Sequence, residues 1–321
     1  MDIHSMKVAG IDTGKDELWV CFLPEDIRFK VTNDAAGIAE LVKRCLAAGI
    51  VRAGIEATSI YHRKAAKALR EAGIETAELQ PRQVRAFSVA LLQWSKTDPI
   101  DAYVIARMVQ VMGRARPGPD AKIEALAEHL TYIEQMEERM AVLKTSLERF
   151  EESRFREMIL ADIKALRRSR IAELRLLEAE LRQDEALALR LDLLLSIPGL
   201  GPRSALGFLI RMPELGAMSR EQAARLAGLA PCDDTSAKRN GERHIQGGRA
   251  RFRKTAFMAA FAASAHWNPD LKAYYIRLRQ IGKAHTPAVV ACARKLVILA
   301  NTILQRQTPW QDKRGMPCLE E

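Results

Sequence analysis

Four carboxylates stand where an acid could do chemistry. Asp12 closes the apolar run Val8-Ala9-Gly10-Ile11, and Glu56 closes Arg52-Ala53-Gly54-Ile55. Asp98 and Asp101 fall three apart in Lys96-Thr97-Asp98-Pro99-Ile100-Asp101. An acid at the end of an apolar strand projects from the sheet edge at which open α/β sheets keep their sites. A spacing of three at a helix start puts both acids on one face of its first turn. If those edges converge, hard oxygen ligands would hold Mg²⁺, with Mn²⁺ as the alternative, in a two-metal phosphodiester site. The competing reading is structural, with Asp98 as an N-cap before an N1 proline and Asp101 as an N3 acid.

A hydroxyl is the second candidate. Ser236 lies in Asp233-Asp234-Thr235-Ser236-Ala237-Lys238-Arg239, a loop immediately before a dense basic cluster. A serine is a weak nucleophile unless a base or metal activates it and cations stabilise the charge that develops. Cys232 is a competing nucleophile with no obvious histidine partner. Charge placement points the same way. Residues 1–190 carry 30 Lys and Arg against 30 Asp and Glu, whereas residues 191–321 carry 20 against 10, which is the entire net charge of +10. Seven basic residues (Lys238, Arg239, Arg243, Arg249, Arg251, Arg253 and Lys254) crowd the seventeen positions from 238 to 254, against Glu242 alone. Such a run is either a solvated face or a phosphate-binding surface, and its confinement to one half of the chain favours phosphate. Gly199 and Gly201, in Ile197-Pro198-Gly199-Leu200-Gly201-Pro202, form either a plain interhelical turn or the hairpin of a helix-hairpin-helix module. In such a module, backbone N–H groups approach a phosphate without reading bases.

Three zones must position these groups. In the first, ending near Arg116-Pro117-Gly118-Pro119, strands are expected at Lys7–Ile11, Leu18–Leu23, Ile27–Thr32, Val51–Ile55 and Glu75–Leu79. Helices are expected at Asp34–Ala48, Tyr61–Ala72, Arg82–Leu92 and Pro99–Met112, which together predict a mixed sheet flanked by helices. The second zone, Asp120 to about Leu195, has no Gly or Pro and repeats apolar residues at three-four spacing. It predicts long amphipathic helices paired as a coiled coil, with Glu151–Glu157 as the turn. The third zone, to Gln307, predicts helices at Arg203–Arg211, Arg220–Ala227, Ala250–Ala265 and Pro287–Leu304 around a long loop, Ala230–Arg249. The tail after Pro309 is polar. The domain reading is therefore 1–118, 119–194, 195–310 and a tail, 311–321.

Composition narrows the class. With 48% apolar and 28% charged residues in 321, the chain is neither disordered nor collagen-like. Five scattered cysteines and six scattered histidines give no disulfide framework and no zinc motif of familiar spacing. The longest uncharged stretch, Thr255–Pro269, is too short to cross a bilayer, and no signal-peptide core is present near Met1, so a soluble intracellular protein without a membrane partner is expected.

Taken together, the chain resembles the DEDD transposases of insertion-sequence family one-hundred-and-ten, related to the Piv-type DNA invertases. The resemblance rests on Gly10-Ile11-Asp12, Ile55-Glu56-Ala57-Thr58, Tyr61-His62, Pro81-Arg82-Gln83-Val84-Arg85 and Lys96 to Ala102. It continues through Ile197 to Pro202, Leu226 to Pro231, Gly247-Gly248-Arg249 and Arg294-Lys295-Leu296, and so spans nearly the whole chain. The resemblance implies a RuvC-like, RNase H-type N-terminal domain with its tetrad on Asp12, Glu56, Asp98 and Asp101. It further implies a C-terminal transposase domain whose serine, falling on Ser236, attacks DNA and forms a phosphoserine link. Where the family usually has Ser-Gly, this chain has Ser236-Ala237, and alanine restricts φ. The family also implies target and donor DNA as substrates and a structured noncoding guide RNA as partner. It implies a dimer or tetramer that shares each site between subunits, and a bacterial, nucleoid-associated location. The rival functions are a RuvC-type nuclease or junction resolvase using water, and a non-catalytic nucleic-acid-binding scaffold.

Overall fold

Short apolar runs build the sheet of the first unit, Met1–Pro119. The computed structural model describes residues 6–93, 97–111, 120–232, 235–236, 239–240 and 244–311. β1 (Val8–Thr13), β2 (Glu17–Leu23) and β3 (Ile27–Thr32) form an antiparallel meander, followed by α1 (Ala35–Ala47). Then come β4 (Arg52–Glu56), α2 (Arg63–Glu71), β5 (Glu75–Leu79), α3 (Pro81–Ala90) and α4 (Asp98–Val111). Pairing is parallel from β1 to β4 and from β4 to β5, giving the order β3-β2-β1-β4-β5. The pleat sends alternate side chains to opposite faces. Ala9, Ile11, Leu18 and Val20 meet Ile38, Leu41 and Leu69 of α1 and α2, while Val8, Cys21, Ala77 and Leu79 meet Val84, Ala102, Ile105 and Ala106 of α3 and α4.

The position of α4 is set by two glycines paired across β1 and β4, Gly10 opposite Gly54. A Cβ on Gly10 would collide with the backbone of α4 at Ala102 O and Ala106 N, and one on Gly54 would collide with Val109 Cγ2. The helix therefore lies directly on the sheet backbone, with its first turn toward the C-terminal ends of β1 and β4. On the outer side, Glu78 of β5 is held by Arg70 of α2 at 2.7 Å and by His62 at 3.5 Å. The His62 hydrogen bond and the Arg70 guanidinium pull its carboxyl down to about 2.

The second unit, Asp120–Glu321, is helical. α5 (Ala121–Ser146) and α6 (Ser153–Leu181) run antiparallel, cross-linked by His129–Glu173 at 2.9 Å and Arg170–Glu137 at 3.1 Å, while Lys122 of α5 reaches Asp184, just beyond α6, at 2.7 Å. The turn between them is shorter than the polar run predicts, because Glu and Arg are good helix formers and α6 takes up Ser153 onward. The run also breaks later, where the Asp184 carboxylate accepts from Leu187 N at 3.1 Å and starts α7 (Glu185–Leu195). α8 (Pro202–Arg211) and α9 (Arg220–Leu226) lead to two small ribbons: β6 (Pro231–Cys232) with β9 (His244–Ile245), and β7 (Thr235–Ser236) with β8 (Arg239–Asn240).

α10 (Ala250–Ala262) ends in a π turn, Ala263–Trp267, followed by α11 (Pro269–Gln280) and α12 (His285–Arg306). Leu126, Leu130 and Ile133 of α5 and Leu177 and Leu181 of α6 share one core with Phe208, Phe252 and Leu296. Among the described residues α12 is the one helix long and apolar enough to cross a membrane. Arg294 and Lys295 hide it from a search for uncharged runs, and 56% of its apolar window is buried in this core.

The seat of α4 makes a direct prediction. Gly10→Ala should lower the stability of the first unit by about 2–3 kcal/mol, because a backbone neighbour cannot give way to the added methyl. Gly54→Ala should cost less, and Val109→Ala should relieve it, because there the obstacle is a side chain. Thermal unfolding reads both, and a Gly10→Ala protein as stable as the wild type would contradict the seat.

Candidate catalytic cleft and nucleic-acid face

Parallel pairing of β1 with β4 brings Asp12 and Glu56 to one edge of the sheet, and α4 carries Asp98 and Asp101 to the same edge. All four acids line a single cavity of about 700 Å³, together with Thr13, Thr58, Arg82 and Arg85. Their proximity is felt electrostatically. Burial pushes the Asp12 carboxyl up to about 6, and the neighbouring charges of Glu56, Asp101 and Asp98 push it the same way.

The structural reading of Asp98 needs correction. The helix begins at Asp98 itself, and the Thr97 carbonyl accepts from Ile100 N and Asp101 N, both at 2.9 Å. Asp98 thus sits within the first turn, beside Asp101, rather than capping it.

The donor set fits a hard divalent cation. Carboxylate oxygens suit Mg²⁺ or Mn²⁺, and Thr13 Oγ1 on the cavity wall is buried without a hydrogen-bond partner. Among the described residues no three His, Cys, Asp or Glu side chains stand close enough together to hold a metal ion as they are placed. The acids share one open cleft.

In the second unit, Ser236 pairs with Arg239 in the β7–β8 ribbon. The side chains of Ser236 and Arg239, and the whole of Lys238 and Arg243, lie outside the described residues. Cys232, for which no histidine is evident in sequence, has His244 directly opposite it in the β6–β9 ribbon.

The rest of the basic cluster divides. Arg249 closes on Glu214 through both guanidinium nitrogens at 2.6 Å, and also donates to the Arg211 carbonyl at 3.0 Å. It serves the fold. Arg251 donates to Thr131 at 3.0 Å and stays 60% exposed, Arg253 donates to the Gly247 carbonyl, and Lys254 stands 3.7 Å from Glu138 and 72% exposed.

The two hairpin glycines divide as well. Gly199 has φ +90°, and a Cβ there would come within 2.7 Å of Ala263 Cα, so it is required by the turn. Gly201 caps α8 and faces open space.

Arg82 and Arg85 belong to the cleft but were not singled out by chemistry in the sequence. Their signal was the i, i+3 spacing directly after a strand end.

The raised Asp12 carboxyl has a testable sign. The folded chain binds its proton more tightly than the unfolded chain, whose carboxyl stays near 3.8. The charge therefore opposes folding above about pH 6, and the effect fades as pH falls toward 4. Without divalent ions, Asp12→Asn should raise Tm at pH 8 by a few degrees and leave it unchanged at pH 4. Mn²⁺ should raise the Tm of the wild type and not that of the variant. No gain at pH 8 would contradict the charge cluster.

Both units of the chain are similar to known proteins. A family model for DEDD transposases of the IS110 type, described as Transposase, matches residues 9–150. A second, described as Transposase IS116/IS110/IS902 family, matches residues 191–276. The pilin gene-inverting protein of Moraxella bovis is 24% identical over 97% of this chain and 99% of its own length, and that of Moraxella lacunata matches to the same extent. The insertion element IS110 uncharacterized 43.6 kDa protein of Streptomyces coelicolor is 32% identical over 124 residues, which span 37% of this chain and 30% of that protein. Two models of one family, matched in order across both units, place the chain in the IS110 family of transposases.

Proposed function

We propose that the chain cuts and rejoins DNA as a transposase or site-specific recombinase, through a RuvC-like acid cleft in the first unit and Ser236 in the second. The observation that carries the reading is the convergence of Asp12, Glu56, Asp98 and Asp101 on one cavity, with Asp12 raised to about 6 by burial and by the other three. Acids forced together against their own repulsion are a feature of sites that bind cations.

These four side chains would hold Mg²⁺ or Mn²⁺. The ion, when bound, supplies Lewis-acid polarisation of the scissile phosphate. Ser236 Oγ attacks phosphorus and gives its proton to solvent water. One strand end leaves as its P–O bond breaks, its oxygen taking a proton from water in turn, and a phosphodiester to the protein remains. That bond conserves the energy needed for rejoining, which hydrolysis would release to water.

Arg239, Arg251, Arg253 and Lys254, with Lys238 and Arg243, contact phosphates of the bound nucleic acid. Gly201 leaves the N-terminus of α8 open to another phosphate. A structured guide RNA and a dimer or tetramer assembled through α5 and α6 complete the proposal. Both come from the family resemblance, and the exposed Val142, Met158 and Leu176 on those helices are consistent with self-association.

Reaction on nicked suicide DNA tests the mechanism. The wild type should give a protein–DNA adduct that survives denaturation and maps to the peptide containing Ser236. Ser236→Ala should abolish adduct and recombination without loss of Tm. Asp12→Ala or Asp101→Ala should lower cleavage by roughly a hundredfold or more, since metal-ion catalysis contributes several kcal/mol. Cleavage persisting in Ser236→Ala with no adduct would replace the serine by water. An adduct that moves to Cys232 would relocate the nucleophile.

A further inference from the structure

The cleft has a second wall. β5 ends at Leu79 beside the end of β4, and α3 begins immediately after it at Pro81. The first turn of α3 is closed by Gln80 N donating to Gln83 Oε1 at 3.2 Å. Val84 and Ser88 anchor the helix, both buried, and Ser88 Oγ donates to the Gln93 carbonyl at 2.8 Å. Arg82 and Arg85, three apart and therefore on one face, are exposed and line the same cavity as the four acids.

Four other arginines of this unit are engaged in ion pairs. Arg28 closes on Asp26 at 2.7 Å, Arg44 on Glu40 at 2.7 Å, Arg52 on Glu75 at 3.0 Å and Arg70 on Glu78 at 2.7 Å. Among the described residues Arg82 and Arg85 make no ion pair, although four carboxylates share their cavity. Arginines present only to neutralise those acids would fold onto them. These two line the cavity without closing on the acids.

We infer that Arg82 and Arg85 form a phosphate clamp in the acid cleft, holding the backbone of the DNA strand beside the bond that is cut. The inference rests on the reading of the cleft given above. The physical need is plain. Four carboxylates repel a polyanion, and each charge pair within a few ångströms costs on the order of 1–4 kcal/mol near a protein surface. A cation can offset the acids on their side, but the flanking phosphates need a counter-charge of their own. Guanidinium supplies it with forked donors that match phosphate oxygens. Neither arginine touches the reacting atoms, so both are positioning residues.

The test uses the full chain and a 30-base-pair duplex of arbitrary sequence, with binding read by fluorescence anisotropy across a salt series in Ca²⁺. Arg82→Gln/Arg85→Gln should reduce the slope of log K against log salt by roughly 1.8, at about 0.9 for each lost phosphate contact. Each single variant should lose about half of that. Arg82→Lys/Arg85→Lys should restore most of the slope, because charge is kept. Tm and its rise with Mn²⁺ should match the wild type in every variant.

A folded glutamine variant with an unchanged slope would overturn the clamp. If the double variant fails to fold, the two single variants decide on the same criterion. Failure of the clamp is separable from failure of the wider reading. An intact Mn²⁺ response and Ser236 adduct with an unchanged slope would remove the clamp alone. A reduced slope without any Mn²⁺ response would keep the clamp and remove the metal site.

Discussion

The first unit depends on the contact of α4 with a glycine pair in the sheet. Gly10 and Gly54 lie opposite each other in β1 and β4, and the α4 backbone occupies the space their side chains would fill. A helix held this close cannot slide or rotate, because interiors pack at crystal-like density and resist displacement. Its first turn is thereby fixed against the ends of β1 and β4. Parallel pairing alone would bring Asp12 and Glu56 together. Only the seated helix adds Asp98 and Asp101, and with them the repulsion that helps raise Asp12 to about 6. The glycines are the covalent basis of an electrostatic site.

Charge in this molecule is sorted by task rather than by amount. The excess of basic residues after position 190 suggests a broad nucleic-acid face, yet part of it is spent inside the fold. Arg249 is locked to Glu214, and Arg211 to Glu134 at 2.7 Å with both side chains only 14% exposed. Arg251 and Lys254 keep most of their surface exposed, although Arg251 donates to Thr131 and Lys254 stands near Glu138, both on α5. The first unit carries 17 Lys and Arg against 14 Asp and Glu in sequence, and its cleft gathers both signs, four acids together with two arginines that make no ion pair among the described residues. Net charge reported the first feature. Placement in the fold was needed for the second.

Much of the first unit was legible because its elements are short and strongly patterned. β3 and β5 have the bounds the sequence predicts, and β1, β2 and β4 differ by a residue or two. The glycine that seats α4 was visible within Gly10-Ile11-Asp12, but its reason was not, since the close approach comes from a helix some ninety residues further on. α11 was missed although Asn268-Pro269 is a strong start signal, with Asn268 Oδ1 accepting from Leu271 N at 3.0 Å. The alanine-rich stretch before it reads as one long helix, and the π turn at Ala263–Trp267 that ends it has no simple sequence mark. Arg82 and Arg85 carry no functional mark in sequence, because an arginine pair on an exposed helix is ordinary until the acids that share its cavity are known.

The central claim is that four acids gathered by α4 form one divalent-cation site. The most direct measurement is anomalous diffraction from crystals of the full chain soaked in Mn²⁺. The account predicts a manganese peak in the cleft, within coordinating distance of carboxylate oxygens from Asp12 and at least one of Glu56, Asp98 and Asp101. It also predicts loss of that peak in Asp12→Asn crystals. A protein that cuts DNA in Mn²⁺ yet shows no peak there, or shows its manganese held by other residues, would contradict the account.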